Sequence, residues 1–475
     1  VADERAATGK AIQYQPTPGK DTTAQKITSQ FQSDFGDEKP DSLSGKSQSP
    51  GRNPLTKSSV LGKSRLFDYR LKFSSDYVLA GFTNNILVNR YQPYGGGNGP
   101  IQLNNGNDFN FTFRVGVSDL MEDQKFVGGL RFGTNLSDKD VFFTYQNLRR
   151  RLDWGATYYR SNVSNFFNTP FNTMLYTNLY QLNFSYPFNE VKSIRATIGL
   201  RTDRGVLRPY DNSSGFPNPN ALAYPDTVYK YIVSRFEYVH DNTINPTQNI
   251  WMGLRYKVYL DVNMPTFKTS LNNGKATLNL GFDGRYYHKI YRNFIWAGRA
   301  AGDFSWGGQK IIYYLGGVDG WINPKFNNNP PAPDQSYAFQ SLTLNMRGYS
   351  QNIANGNNAV VLNSEFRFPV FSTLLNRPIN NAFLRNFQIV QFIDLGTAWN
   401  GKFNGITRPT EVISDPSTPV VVKIDAGGLG PFAGGYGFGV RSTLLGYFMK
   451  LDAGWPMKGV FKGKPLLYFA LGFDF

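Results

Sequence analysis

Three charged residues in the last third of the sequence have side chains suited to ion pairing. Arg347 lies in a segment rich in Gly and Asn, and the acids Glu365 and Asp394 follow in two stretches of alternating apolar and polar residues. A guanidinium can bind carboxylates through several charge-assisted hydrogen bonds at once. The chemistry that these residues could do is therefore a buried ion-pair contact between a loop and two strands.

Alternation around the two acids places them on the polar faces of their strands. Glu365 shares a face with Asn363 and Arg367, and Asp394 shares one with Gly396. Because successive side chains of a strand point to opposite sides of a sheet, both acids are expected on the side away from the apolar residues. An open alternative is that any polar interior contains Arg, Glu and Asp by chance.

The same period of two continues from about Leu66 to the C-terminus. It predicts two sets of side chains, one apolar and facing outward (Phe111, Phe113, Leu254, Leu280 and Phe366) and one polar and facing inward (Arg114, Arg255, Asp283 and Glu365). A β-sandwich would show the same alternation, so the period alone does not distinguish a sandwich from a barrel.

Connector lengths distinguish the two folds better. Short connectors (Leu120–Asp123, Pro187–Glu190, Lys289–Tyr291 and Leu444–Gly446) alternate with long ones rich in Gly, Asn and Pro (Tyr94–Asn107, Thr202–Asp226, Ser305–Asn358 and Lys402–Ala433). Short periplasmic turns and long extracellular loops are typical of outer-membrane barrels. The sequence therefore predicts an all-β fold, a sixteen-stranded antiparallel transmembrane β-barrel over residues 66–475.

Composition favours the same class. Aromatic residues make up 16% of the 475 residues, with 39 Phe and 28 Tyr, yet the mean hydropathy is negative. A barrel in lipid has an apolar outer band and a polar interior, whereas a soluble domain with so many aromatics would carry more Leu, Val and Ala. No apolar run approaches the roughly 20 residues of a membrane-spanning helix.

The positive charge of the chain does not indicate a nucleic-acid partner. The formal charge of +16 is spread along the sequence, and the tight run Arg149–Arg151 falls at a predicted short turn. Nucleic-acid binding requires basic clusters on one face together with aromatics for stacking. Basic residues at the rims of a barrel could instead contact lipid phosphates, so outer-membrane lipid and lipopolysaccharide are the expected surroundings.

The N-terminal segment, residues 1–65, differs from the rest in composition. It is rich in polar residues and Pro, and a stretch such as Asp37–Pro50 cannot bury enough apolar surface to offset its ordering entropy. We expect a polar periplasmic linker or tail, partly ordered against the barrel or a partner. The sequence starts at Val1 without a signal peptide, although an outer-membrane protein is exported, so we expect a mature or partial chain.

The order of motifs in the last third resembles a known family. Met346-Arg347-Gly348-Tyr349 is followed by Phe392–Gly396 and by the chain end Leu471–Phe475. This order resembles the C-terminal barrel of the bacterial surface antigen superfamily, which includes BamA-like assembly factors, TamA-like proteins and two-partner secretion transporters. The resemblance, over about Leu315–Phe475, implies a long sixth extracellular loop that folds into the lumen. It also implies that Arg347 meets an acid on an inner strand face, Glu365 or Asp394.

Two departures from the family pattern affect its interpretation. Gly316-Gly317 resembles the Gly-Gly that usually precedes the Arg motif, but an insertion at residues 318–345 separates the two. The expected role of this insertion is an extracellular cap or a partner site. Family members with assembly or secretion activity also carry periplasmic POTRA domains, and residues 1–65 are too short and polar for one. Such domains then lie outside this chain, another module replaces them, or the activity is lost.

The chain end resembles the signal by which assembly machines recognise nascent barrels. Alternation predicts that Leu467, Phe469, Leu471, Phe473 and Phe475 share one apolar face. A generic outward-facing strand would look similar, so this pattern supports location more than function.

The resemblance implies an outer-membrane barrel of a Gram-negative bacterium, with a periplasmic N-terminus, that acts in insertion, assembly or translocation of outer-membrane or secreted proteins. Periplasmic or outer-membrane protein partners and unfolded or secreted protein substrates are expected with it. In that mechanism the first and last strands pair weakly and Phe475 bends inward or lies loosely against Leu71–Thr83. The alternative is a passive channel or structural scaffold with the same fold.

Enzymatic activity is not expected. The two histidines, His240 and His288, each lie near the end of a predicted strand, and no Ser motif with the character of a catalytic triad lies near either. Cysteine is absent, which excludes disulfides and thiolate metal sites. No cofactor and no metal site are predicted.

Overall fold

The computed structural model describes most of the chain beyond the predicted N-terminal tail. The predicted tail, residues 1–65, and the proposed start of the barrel at 66–70 lie outside the described residues. No helix in the described part is long and apolar enough to cross a membrane. The described residues are 71–82, 88, 90–94, 110–133, 138–164, 173–208, 225–268, 274–327, 329–332, 335–343, 346–375, 377–403, 411–414, 421–424, 430–458 and 461–475.

Antiparallel strands make up nearly all of the regular structure. In chain order the strands are β1 Phe73–Phe82, β2 Gln92–Pro93, β3 Phe111–Asp119, β4 Gln124–Phe132, β5 Lys139–Asn147, β6 Asp153–Ser164, β7 Thr173–Asn189, β8 Lys192–Leu207, β9 Thr227–Asp241, β10 Ile244–Thr247, β11 Ile250–Pro265, β12 Thr277–Tyr291, β13 Phe294–Gly307, β14 Lys310–Leu315, β15 Tyr337–Thr343, β16 Ala354–Gly356, β17 Asn358–Pro369, β18 Gln388–Trp399, β19 Glu411–Ser414, β20 Val421–Ile424, β21 Ala433–Leu444, β22 Tyr447–Pro456 and β23 Leu466–Leu471. Two short helices, α1 Val370–Leu374 and α2 Ala382–Arg385, lie between β17 and β18.

One large sheet contains the long strands. Antiparallel pairings join β1 to β3, run in order from β3 to β9, and continue through β11, β12, β13, β17, β18, β21, β22 and β23. With the short β10, the sheet has 17 strands in the described residues. The predicted all-β fold with an antiparallel main sheet is confirmed. Closure of the sheet into a ring, and a count of sixteen membrane-spanning strands, stay predictions.

The two faces of the sheet differ as the alternation predicts. Leu280 and Phe366 are 44% and 42% exposed on the outer face, whereas Arg255 and Glu365 are 4% and 1% exposed. Apolar side chains toward lipid and polar ones toward the interior are what a transmembrane barrel requires.

The turns agree with the predicted short connectors, with local corrections. The turn expected at Lys289–Tyr291 lies just after these residues, at 292 and 293, because β12 pairs with β13 as far as Tyr291 opposite Phe294. The Arg149–Arg151 run lies in the turn between β5 and β6, as predicted. Strict alternation of short and long connectors is wrong between β17 and β18, where α1 and α2 form a longer connector. Arg292 Nη1 donates to the Thr373 backbone oxygen of α1 at 3.0 Å, so this connector packs on the neighbouring turn.

The longest connector is not an irregular loop. Its strand β14 pairs in parallel with β15 and antiparallel with β16, and β15 also pairs with β2 of the first long connector. This four-stranded sheet packs on the inner face of the large sheet through an apolar cluster. The interior is therefore filled by loop residues in addition to the polar side chains that alternation predicts; the cluster comprises Tyr91, Tyr231, Ile311, Tyr313, Leu315, Ala338, Phe339, Met346, Tyr349, Ala354, Ala359, Val361, Ala398 and Ala433.

Candidate functional site

Arg347 is 2% exposed, and its guanidinium contacts both predicted acids. Its Nε donates to Asp394 Oδ2 at 2.6 Å and its Nη2 to Asp394 Oδ1 at 2.8 Å. Its Nη1 lies 2.7 Å from Glu365 Oε1. The backbone N–H of Arg347 also donates to Asp394 Oδ2 at 3.0 Å. One carboxylate on β18 therefore fixes both the side chain and the backbone of the loop motif.

Neighbouring groups satisfy the remaining polar atoms of this cluster. Asn363 Nδ2 donates to Asp394 Oδ1 at 2.8 Å, and the guanidinium carbon of Arg347 lies 3.7 Å from the centre of the Phe392 ring. A cation over an aromatic face is attracted by the ring quadrupole. Burial lowers the pKa of Arg347, but the charges of Asp394 and Glu365 raise it by more, so it lies well above its ordinary value. The guanidinium therefore stays charged at physiological pH.

The ion-pair cluster extends to the chain end. Arg367 is fully buried and donates from Nε to Glu365 Oε2 at 2.8 Å and from Nη2 to the Phe475 backbone oxygen at 2.9 Å. Asp474 Oδ2 in turn lies 2.8 Å from Arg441 Nε on β21. The loop motif, the inner wall and the last residues thus form one connected network.

The predicted face of the chain end needs a correction. β23 ends at Leu471, and Gly472 has a φ of +112°, which takes the chain out of the sheet. Leu467 and Phe469 face outward as predicted, but the prediction that Phe473 and Phe475 continue on that face is wrong. Phe473 packs on Phe448 with ring centres 4.9 Å apart. Phe475 is buried and bends inward onto Ile250, Tyr287, Ile295 and Ala297.

The last strand also binds the backbone of the loop motif. The Tyr468 hydroxyl on β23 accepts from Gly348 N at 2.7 Å and donates to the Tyr349 backbone oxygen at 2.9 Å. Gly348 has a φ of +93°, a conformation that side chains rarely adopt, and a Cβ there would lie 2.7 Å from the Trp455 backbone oxygen. The motif therefore needs glycine at this position for both its conformation and its close packing.

A glycine on β21 gives a test of this packing. A Cβ on Gly435 would overlap the Arg347 backbone oxygen, so we expect Gly435→Ala to displace the motif and lower stability by about 1–3 kcal/mol. Gly128→Ala is the matched control, because its Cβ would meet only Phe143 at 3.9 Å. The measurement is the urea midpoint of the heat-modifiable band on gels. Equal midpoints for the two variants would contradict the close approach.

A backbone bridge holds together the two residues that flank the insertion at 318–345. Gly317 and Met346 form an antiparallel bridge in which Gly317 N donates to the Met346 backbone oxygen at 3.2 Å and Met346 N to that of Gly317 at 3.0 Å. The Gly-Gly pair and the Arg motif, far apart in sequence, are therefore neighbours in space. The insertion adds residues between them without separating them.

The beginning of this insertion lies on the outer edge of the last strand. Ile322 N donates to the Phe469 backbone oxygen at 2.8 Å, Leu471 N donates to the Gly320 backbone oxygen at 3.4 Å, and Trp321 bridges Ala470 antiparallel. The Trp321 ring packs on Tyr468 with centres 4.6 Å apart. We call Gly320–Ile322 the edge segment. It occupies the edge of β23 opposite β22, where the first strand of a closed ring would pair.

The first strand, β1, is exposed on both of its faces. Val78 and Leu79, which point to opposite faces of β1, are 58% and 39% exposed. Neither face of β1 is therefore covered by the filled interior. At the end of β1, Phe82 N donates to the hydroxyl of Tyr447, the first residue of β22, at 3.2 Å. The edge segment on β23 and the Arg347 cluster together form the candidate functional site.

A second group of contacts anchors the first long connector inside. Arg90 Nη2 lies 2.5 Å from Asp303 Oδ2, and the Tyr91 hydroxyl donates to Asp261 Oδ2 at 2.6 Å. Arg201 Nη1 donates to the Tyr91 backbone oxygen at 2.8 Å. The loop of Arg347 and the first long connector are therefore both held on the inner face.

Comparison with solved structures agrees with this architecture. The fold is that of an outer-membrane β-barrel. It is similar to BamA from Haemophilus ducreyi lacking POTRA domains 1–3, with a TM-score of 0.50 and 15% sequence identity over 86% of this chain and 71% of that chain. The predicted BamA-like fold is thus confirmed.

Two further solved structures are more distant. CdiB from Escherichia coli has a TM-score of 0.43 and 12% identity, covering 87% of this chain and 64% of that one. CdiB from Acinetobacter baumannii has 0.41 and 12%, covering 78% and 57%. The fold assignment rests on BamA because these scores are lower. No protein-family model and no curated protein matches the sequence.

Several residues of the site have no clear signal in the sequence. Tyr468 lies in a generic alternating strand, and Trp321 lies in a Gly-rich segment without periodicity. Alternation places Phe392 on the same face as Asp394 and Arg367 on the same face as Glu365. It could therefore have predicted that both residues contact the cluster. The histidines lie on β9 and β12, and His240 stacks on Tyr256 with ring centres 5.0 Å apart.

Proposed function

We propose that this protein acts in the outer membrane in the assembly or translocation of outer-membrane or secreted proteins, by sideways opening between β1 and β23. The Arg347 cluster keeps the loop anchored, and the edge segment is the part that dissociates from β23. Periplasmic or outer-membrane partner proteins deliver the substrate. No catalytic step is proposed, because binding and release of strand edges suffices for such a role.

The observation that carries this proposal is the edge of β23. A strand edge presents unpaired backbone groups, and in lipid each unsatisfied group costs several kcal/mol. Here the edge segment satisfies the Phe469 oxygen and the Leu471 N–H. Each such hydrogen bond contributes a net of only about 0.5–1.5 kcal/mol. A substrate strand that offers the same hydrogen bonds can therefore replace the edge segment at little cost.

The inward course of the chain end supports the same mechanism. β23 is six residues long and β1 is ten. Phe475 and Asp474 are held by the inner wall, so they add no pairing at the seam. A short last strand leaves fewer hydrogen bonds to break when the seam opens.

A closed scaffold or channel is the second candidate. The apolar cluster of the luminal loop fills part of the interior, which is the observation that favours a scaffold over an open pore. A scaffold would keep the edge segment in place at all times. The two candidates therefore differ in whether the edge segment moves.

Reconstitution tests the proposal. The protein, with any partner that copurifies, is placed in lipid vesicles, and a urea-denatured barrel substrate is added. We expect faster appearance of the substrate's heat-modifiable folded band than in protein-free vesicles. An unchanged rate together with solute leakage would favour a channel, and an unchanged rate without leakage would favour a scaffold. Either result contradicts the proposal.

A further inference from the structure

Basic side chains cluster on the outer face of β5 to β8, at the end near the long connectors. Val141 lies opposite Arg160, and Phe143 lies opposite Tyr158. Because residues two apart share a face, Lys139 and Arg160 point to the same side as Phe143, which is 49% exposed on the outer face. These two cations thus lie outside the barrel, above the apolar band.

The strand register places further residues on the same outer face of β6, β7 and β8. Lys139 lies opposite Asn162, Asn162 opposite Tyr176, and Tyr176 opposite Arg204. Arg208 follows on the same alternation as Arg204. Arg204 pairs with Asp226, whereas Lys139, Arg160 and Arg208 have no acidic partner among the described residues. Three cations that have no acidic partner in the described part of the chain therefore meet at one end of the outer face.

These three cations surround a cavity of about 470 Å³. Its wall also contains Asn162, which is 6% exposed and whose Oδ1 has no hydrogen-bond partner in the described part of the chain. A buried amide oxygen without a partner costs free energy unless a ligand or water satisfies it. Met174 and Tyr176 supply an apolar edge to the same cavity. The site thus offers positive charge, one polar acceptor and an apolar border.

We propose that this cavity binds the phosphorylated glucosamine headgroup of lipopolysaccharide in the outer leaflet. Lys139, Arg160 and Arg208 bind the phosphate, since Lys and Arg form strong charge-assisted hydrogen bonds with phosphate oxygens. Asn162 Oδ1 accepts from a sugar hydroxyl or amide. Acyl chains then continue over the outward apolar residues of β5 to β8. The inference rests on the outer-membrane location in the proposed function, but not on any assembly activity.

The test is a titration of the detergent-purified full chain with fluorescent, phosphorylated lipid A. Each cation near an anionic lipid surface strengthens binding severalfold, so we expect the double variant K139Q/R160Q to bind about tenfold more weakly or worse. Asn162→Ala is expected to weaken binding without any change of charge. Heat-modifiable mobility on gels verifies that each variant is folded.

The matched control removes two charges from the opposite end of the same strands. Arg149 and Arg150 are exposed in the turn between β5 and β6, so R149Q/R150Q should bind as the unchanged protein does. Dephosphorylated lipid A should bind weakly, and inorganic phosphate should compete only weakly because it lacks the sugar and acyl contacts. Equal losses in both double variants, or equal binding of dephosphorylated lipid A, would overturn the site. Competition by inorganic phosphate as strong as that by lipid A would overturn the lipid as its ligand.

Because the titration measures lipid binding and no substrate folding, its outcome is independent of the reconstitution experiment. A protein that assembles substrates normally but fails this titration has lost only the lipid site. One that binds lipid A at this site but folds no substrate keeps the site and loses the proposed activity.

Discussion

Replacing Arg347 with alanine is expected to release the luminal loop and to lower the stability of the protein by about 3–5 kcal/mol. The variant leaves Asp394 fully buried with Asn363 as its remaining side-chain donor, and it removes one of the two guanidinium partners of Glu365. A buried charge without its partner costs much more than the net gain of the pair. The measurements are the urea midpoint of the folded band and protease cleavage within the loop, which should become accessible.

Three further variants show whether the loss of stability is specific to the Arg347 cluster or follows from the loss of any positive charge. Lys125→Ala removes a cation whose partner Glu122 is largely exposed, at 3.0 Å, and exposed pairs contribute about 1 kcal/mol or less. Arg347→Lys keeps the charge but loses the bidentate geometry, so it should fall between the two. Adding Asp394→Asn to Arg347→Ala should recover part of the loss, because the two effects are coupled. A loop that stays protected in Arg347→Ala would show that the cluster is not its anchor.

The fold and the anchor could be predicted because both depend on alternation. A period of two determines which face each strand residue occupies, and so it placed Glu365, Asp394 and Arg255 inside and Leu280 outside. The family resemblance implied a contact of Arg347 with Glu365 or Asp394, and the structure contains both contacts. Alternation and motif order therefore predict the strands of the barrel wall and the side to which each of their residues points.

The edge segment was beyond such reasoning for a physical reason. The edge segment binds β23 through backbone hydrogen bonds, which carry no signature in side-chain pattern, and its residues are far from Ala470 in sequence. The bend at Gly472 reversed the expected face of Phe475 because one residue at positive φ ends the alternation. The small sheet of β2, β14, β15 and β16 likewise depends on contacts between two connectors, and nothing in either connector alone predicts the other.

Locking the edge segment to the last strand is expected to abolish function reversibly. Trp321 and Ala470 are directly opposite, flanked by the hydrogen bonds of Ile322 with Phe469 and of Gly320 with Leu471. Such a non-hydrogen-bonded pair has Cα atoms about 4.5 Å apart, within the range that a disulfide spans. The chain contains no cysteine, so W321C/A470C can form one intramolecular disulfide, the intended one, and nonreducing gels separate it from crosslinks between molecules.

Two controls isolate the effect of the lock. W321C alone reports the loss of packing between Trp321 and Tyr468. A453C/L467C places a disulfide between the paired strands β22 and β23, whose residues Ala453 and Leu467 are opposite each other. That crosslink lies beside the seam and does not hold the edge segment. It should leave activity unchanged under oxidising and reducing conditions.

The rate of substrate folding in vesicles with W321C/A470C, measured before and after reduction, tests sideways opening most directly. Sideways opening predicts loss of acceleration when the pair is oxidised, recovery on reduction to the level of W321C, and no such difference for A453C/L467C. Full acceleration with the oxidised pair, its crosslink verified by mass spectrometry, would contradict displacement of the edge segment.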